Sequence, residues 1–171
     1  GGAMTLLATQ TASGSANLSF TSGIDSTYDS YVFKFYNIHP ATDNVQFLFN
    51  MSSDSGSNYN VTKTTTYFLA EHNATGGSAN LSYQSAKDLA QSTDFQKLMT
   101  DLGNAADENL SGYLTIYNPS STTFVKNFMS RTNAQAYSAT NISFDNYIAG
   151  YGNTTSAINA VQFKMSSGNF D

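Results

Sequence analysis

Reactive side chains are scarce in this sequence. Its 171 residues hold two histidines (His39 and His72), two glutamates (Glu71 and Glu108), ten aspartates and no cysteine. A nucleophile–base pair would have to be assembled around one of the two imidazoles, because only histidine exchanges a proton near neutrality without a strongly shifted pKa. His39 precedes Pro40, a position held extended or in a turn. His72 follows Glu71 at the end of a strand pattern. No G-x-S-x-G elbow, H-E-x-x-H pair, phosphate-cradling glycine loop or EF-hand loop accompanies them. Glycoside hydrolysis would need two carboxyl groups facing each other across a cleft. Glu108 instead follows Asp107 in a polar stretch, and Asp25, Asp29, Asp43 and Asp54 fall in turn sequences, where a short carboxylate bonds its own backbone. Loop oxygens are plentiful enough for Ca²⁺, but no spacing singles out a ligand set. The expectation is a chain that is not an enzyme, with no catalytic residue, no metal site and no cofactor.

Recognition chemistry is better supplied. Eleven tyrosines are present, and Tyr28, Tyr31, Tyr59, Tyr83, Tyr137, Tyr147 and Tyr151 lie in or beside loop patterns among Asn, Ser and Asp. That combination offers flat contact area with adaptable hydrogen bonding. Tyr28, Tyr59, Tyr137 and Tyr151 are taken as a ligand-contacting surface, although a half-buried tyrosine at a sheet end would look the same in sequence. Eight N-x-[ST] sequons, at Asn17, Asn50, Asn60, Asn73, Asn80, Asn109, Asn141 and Asn153, are read as a by-product of the Asn/Ser/Thr content, since several fall inside strand patterns.

Charge narrows the partners. Only 11% of residues are charged and the net charge is −5, so the wet surface must be built from Ser, Thr and Asn. The seven basic residues are scattered from Lys34 to Lys164, which argues against nucleic acid, whose phosphates call for a clustered basic patch. No apolar run approaches the roughly 18 residues of a membrane span, so no membrane partner is expected.

The elements that must carry these residues read as strands. Alternation of apolar and polar residues marks Ala16–Phe20, Tyr31–Ile38, Val45–Met51, Thr64–Ala70, Ala79–Tyr83, Tyr113–Tyr117, Thr122–Met129, Phe144–Tyr151 and Ala157–Met165. Turn chemistry separates them, as at Asp54-Ser-Gly56 and Asn118-Pro-Ser120. One segment departs: between Ser92 and Leu102, Phe95, Leu98, Met99 and Leu102 stand at i, i+3, i+4 and i+7, the stripe of an amphipathic helix. Ser92 or Thr93 would cap it and Gly103 would end it. The fold class expected is therefore all-β, an antiparallel two-sheet β-sandwich of jelly-roll-like type, with one short helix near 92–102. Residues 1–4, Gly-Gly-Ala-Met, read as an expression-tag scar with a start methionine, and 5–171 as a single β-sandwich domain. Twelve phenylalanines exceed what one small core requires, and Phe124, Phe128 and Phe144 are candidates for packing between subunits.

Several stretches resemble one group of proteins. Ser22-Gly-Ile-Asp-Ser-Thr-Tyr-Asp-Ser-Tyr-Val-Phe33, Asn118-Pro-Ser-Ser-Thr-Thr-Phe-Val-Lys126, Ala149-Gly-Tyr-Gly-Asn-Thr-Thr-Ser-Ala-Ile158 and Phe163-Lys-Met-Ser-Ser-Gly-Asn-Phe170 are similar to small virion structural proteins of tailed bacteriophages, marine ones especially, of the capsid-decoration or tail-attachment type. The resemblance implies a jelly-roll β-sandwich without catalytic residues, located in the virion. The implied partners are other virion proteins, further copies of the chain in a homo-oligomer such as a trimer, and a host-surface glycan. Proteins of that group run past the Ser-Gly-Asn segment into one more strand; the stop at Asp171 reads either as a shortened chain or as a member without that strand, and in the second case an open sheet edge is expected. The alternative reading is a carbohydrate-binding or adhesin module that recognises surface glycans.

Overall fold

The computed structural model describes residues 3–138 and 141–171. Among them are ten strands and no helix: β1 Asn17–Phe20, β2 Ser30–Ile38, β3 Val45–Ser52, β4 Lys63–Asn73, β5 Ala79–Tyr83, β6 Gln96–Leu102, β7 Leu110–Tyr117, β8 Lys126–Ala136, β9 Ile142–Gly152 and β10 Ala160–Met165. Every pairing is antiparallel. One arm of the sheet runs β1-β10-β3-β6 and the other β2-β7-β8-β9-β4-β5, and the single pair Leu102↔Ala136 joins them.

The arms fold over a shared core. Phe35 of β2 meets Phe163 of β10 edge to face with ring centroids 5.1 Å apart, and Phe49 of β3 meets Phe128 of β8 at 5.0 Å. Neither pair lies on hydrogen-bonded neighbours, so these rings bridge two layers. Phe163 also contacts Phe20, Phe33, Phe47 and Phe49. Alternation puts this core on one side of β8, where Lys126, Phe128, Ser130, Thr132, Ala134 and Ala136 are buried while Asn127, Met129, Arg131 and Asn133 are exposed; β3 is buried on both faces. The opposite face of the six-stranded arm is open.

The expected helix near 92–102 is absent. Gln96–Leu102 is β6, paired with β3, and Ser92 bridges back to Lys63 while its hydroxyl accepts from the Asp94 amide. The helical-looking stripe has a physical origin. Opposite β3, the register slips by one residue between Met99 and Lys97 and again between Leu102 and Met99, where Asp101 adopts a left-handed φ of 57°. Each bulge shifts the inward-facing set by one position, so Leu98, Met99 and Leu102 are all buried on a strand. Two slips in a period of two imitate a period of 3.6.

Phe128 and Phe144 belong to the chain's own core, and of the three phenylalanines assigned to subunit contacts only Phe124 is exposed. β10 is an interior strand between β1 and β3, and the residues after it are tied down: Phe170 bridges Pro40, and the Asp171 amide donates to the His39 carbonyl. The free edges of the sheet are β1, β2 and β5.

Candidate functional site

The residues that could have been reactive are engaged in holding turns. Asp25 accepts from the Thr27 amide (2.8 Å) and the Tyr31 hydroxyl (3.0 Å), and the bonds from Thr27 lead the effects that lower its pKa. Asp54 accepts from the Ser52 hydroxyl (2.6 Å) and from the amide and side chain of Asn58, which together hold it at about 2. Glu108 is buried, folded over Gly103, with Oε2 accepting from the Ala105 amide at 3.0 Å. His39 contacts the Ala105 carbonyl and lies 3.4 Å from the Asp171 carboxylate, whereas His72 stands exposed on the open face of β4. Among the described residues, no three His, Asp or Glu side chains converge in a manner that could hold a metal ion.

The four tyrosines taken as a ligand surface stand apart, with Tyr151 opposite Asn127 at one end of β8 and Tyr137 beyond Ala136 at the other. Tyr28 packs edge-on to Tyr31, with ring centroids 6.0 Å apart. Tyr59 is half-buried, and its hydroxyl is enclosed without a hydrogen-bond partner among the described residues. Tyr151 lies on β9 beside Gln91, whose side-chain amide reaches its hydroxyl at 3.3 Å. Tyr137 sits beyond the far end of β8, lining a shallow hollow with Asp43, Asn104 and Glu108.

A different set of residues comes together. The registers of the six-stranded arm place Lys34, Tyr113, Arg131, Tyr147, Phe68 and Tyr83 side by side, one from each of β2, β7, β8, β9, β4 and β5, in a single row across the open face. Tyr147 is clasped from both sides: the Arg131 guanidinium lies 4.8 Å from its ring centroid, and Phe68 stacks on the other face at 4.9 Å with planes 1° apart. Arg131 holds Asp145 by two hydrogen bonds, Nε at 3.0 Å and Nη2 at 2.7 Å, and the Tyr147 hydroxyl donates to the same carboxylate at 3.1 Å. The bonds from Arg131 lower the Asp145 pKa, and the carboxylate in turn raises that of the guanidinium. Tyr83, at the end of the row, bonds Asp88.

More than half of the large apolar side chains exposed among the described residues stand on this face: Val32, Tyr36, Phe68, Leu81, Tyr83, Tyr113, Tyr117 and Met129. Tyrosine dominates this face, with one Phe, one Met, one Arg and one Lys among it, and aromatic enrichment is a mark of surfaces that dock against others. Between β7 and β8 the face dips into an open recess lined by Ser111, Gly112, Tyr113, Arg131, Asn133 and Asp145. Gly112 is required there, because a Cβ would run into the Arg131 carbonyl. Of this row only Tyr83 and Tyr147 were among the tyrosines singled out in sequence. Alternation marks the outward positions, but only the pairing register shows that they align.

The core also holds two amines. Lys63 donates to Asn50 Oδ1 (2.6 Å) and the Val61 carbonyl (2.7 Å), and Lys126 to the carbonyls of Phe124 (2.6 Å) and Thr154 (3.3 Å). Both face Gly152, from opposite edges of β9. Burial pushes Lys63 down to about 7 and lowers Lys126. Among the described residues, neither amine is in an ion pair. The sequence matches no family model, no curated protein and no solved structure.

Proposed function

We propose that this chain is a non-enzymatic virion structural protein, a capsid-decoration or tail component of a tailed bacteriophage, that works by surface contact through the open face of its six-stranded arm. The observation that carries the contact reading is the ordered row from Lys34 to Tyr83: exposed aromatic groups already fixed by stacking and ion pairing lose little further freedom on docking. The virion setting rests on the sequence resemblance, and the all-β antiparallel architecture is compatible with the jelly-roll sandwich which that resemblance implies. Attachment to a host surface fits the same face. Mass spectrometry and antibody labelling of purified particles carrying the coding sequence test the proposal. The chain should appear at regular positions in intact particles, and particles free of it would overturn the virion assignment.

The second reading, a carbohydrate-binding module, is favoured by the recess, where Tyr113, Arg131, Asn133 and Asp145 put an aromatic ring beside hydrogen-bonding groups. Glycan-array binding that is lost in Tyr113→Ala while the fold is retained would select it.

A further inference from the structure

The three free edges of the sheet are not equally defended. β1 is four residues long, and the Gln10 side chain already donates to its Ser19 carbonyl at 2.7 Å. β2 carries Lys34 at mid-strand and slips register between Phe35 and Ile38, with Asn37 at a φ of 50°. Short length, lysine and bulges are the usual devices that stop one edge from pairing with another. β5, at five residues only one longer than β1, has neither a lysine nor a bulge. Its sequence, Ala-Asn-Leu-Ser-Tyr, contains no charge and no proline, and it pairs with β4 in unbroken register from Ala79 to Tyr83.

Its free peptide groups can be assigned. The Asn73 amide donates to the Ser78 carbonyl and the Gln84 amide to the Tyr67 carbonyl. In an antiparallel ladder this turns the peptide groups of Asn80 and Ser82 toward β4 and those of Ala79, Leu81 and Tyr83 outward. The same three residues present their side chains on the open face, with Leu81 69% and Tyr83 56% exposed.

We infer that β5 is a self-docking edge, on which two copies of the chain pair β5 to β5, antiparallel, about a two-fold axis at Leu81. That symmetry sets Leu81 opposite Leu81 and the small Ala79 opposite the large Tyr83, twice, with about six backbone hydrogen bonds, two for each facing pair. No charged residue of β5 meets its own copy. The ionisable groups beside the seam are His72 and Glu71, which face Ala79 and Asn80 in the β4–β5 ladder, and Asp88, bound to the Tyr83 hydroxyl; each copy brings Asp88 toward the other's His72. The pairing sets the Tyr83 end of the row against Ala79 and, one strand on, His72 of the second copy. It stands independently of the virion assignment, since a dimer forms or fails in purified protein whatever the protein's location.

Sedimentation equilibrium tests it. The chain should shift with rising concentration from 18.4 kDa to twice that mass. Leu81→Lys, which sets like charges across the axis, should remain monomeric with an unchanged unfolding midpoint. Leu81→Cys gives the chain its only thiol, at a facing-pair separation of about 5.5 Å that a disulfide can span. Mild oxidation should link it into dimers much faster than Tyr36→Cys, an equally exposed site on β2 (71%). Wild-type protein monomeric into the millimolar range, or Leu81→Cys cross-linking no faster than Tyr36→Cys, overturns the inference.

Discussion

Lys63 makes the stability of this protein respond to alkaline pH in an unusual direction. Its ammonium is fully buried at the start of β4, bonded to Asn50 and Val61, and among the described residues no ion pair includes it. Burial lowers its pKa from 10.5 to about 7, against the opposing pull of the Asp94 charge. Below pH 7 both folded and unfolded chains carry the proton, and the term is constant. Between pH 7 and 10.5 the unfolded chain binds more protons than the folded one, so stability rises with pH. A group with these two values adds ~2 kcal/mol of stability between pH 7 and pH 9. Lys87 and Lys126 are also lowered and push the same way. Tyr67, raised by burial, opposes them only once pH approaches the ordinary tyrosine value near 10, outside this window. Urea unfolding of wild type and Lys63→Met at pH 6, 7, 8 and 9 measures the effect. Wild type should gain stability from pH 7 to pH 9, and Lys63→Met should gain about 2 kcal/mol less. Lys63→Met will also lose something at every pH, because Asn50 Oδ1 and the Val61 carbonyl forfeit a donor. Equal slopes for the two proteins would refute a neutral amine in the core.

Three further outcomes follow from the packing. Phe163→Ala removes the ring that joins both layers and should cost ~3–5 kcal/mol in urea unfolding, since it empties contacts to Phe20, Phe33, Phe35, Phe47 and Phe49. Gly112→Ala forces apart β7 and β8, because its Cβ would meet the Arg131 carbonyl and lie 2.8 Å from Thr132 Cα; a loss of about 2–3 kcal/mol is expected, and a neutral result would refute the close approach. Alanine replacements of Arg131 and Asp145, singly and together, should give a coupling of ~0.5–1 kcal/mol that shrinks in 1 M salt, because the Arg131 side chain is 51% exposed and the Asp145 side chain 25%.

The strands were legible because alternation survives wherever one face is buried and the other wet. β10 shows it in Val161, Phe163 and Met165, with Gln162 and Lys164 less buried between them, whereas β3 is buried on both faces and was legible from the alternation of residue types alone. β6 was misread because a bulge does not change composition; it changes which residues face inward, and only the partner strand reveals that. The candidate site was less legible for a related reason. Tyr113, Arg131, Tyr147 and Phe68 are spread over almost eighty positions of sequence, and they align only through three strand registers. The loops drew attention because tyrosines there look free, yet Tyr59 is enclosed and Tyr28 is packed on its neighbour.

The arrangement of the open face bears on how a chain with so few charges stays selective. An exposed aromatic surface ordinarily invites indiscriminate association. Here the ring at the centre of the row, Tyr147, has Arg131 on one face and Phe68 on the other, so its broad surfaces are already occupied. A partner meets ring edges, a hydroxyl and a neutralised ion pair, in a fixed order set by strand spacing. Matching that order requires a surface with its own repeat of nearly 4.8 Å, which an arbitrary apolar surface does not supply. On the proposed contact reading, selectivity on this face resides in register, and a one-residue insertion that slips β8 should abolish pull-down of a partner that the wild-type chain captures while leaving charge untouched.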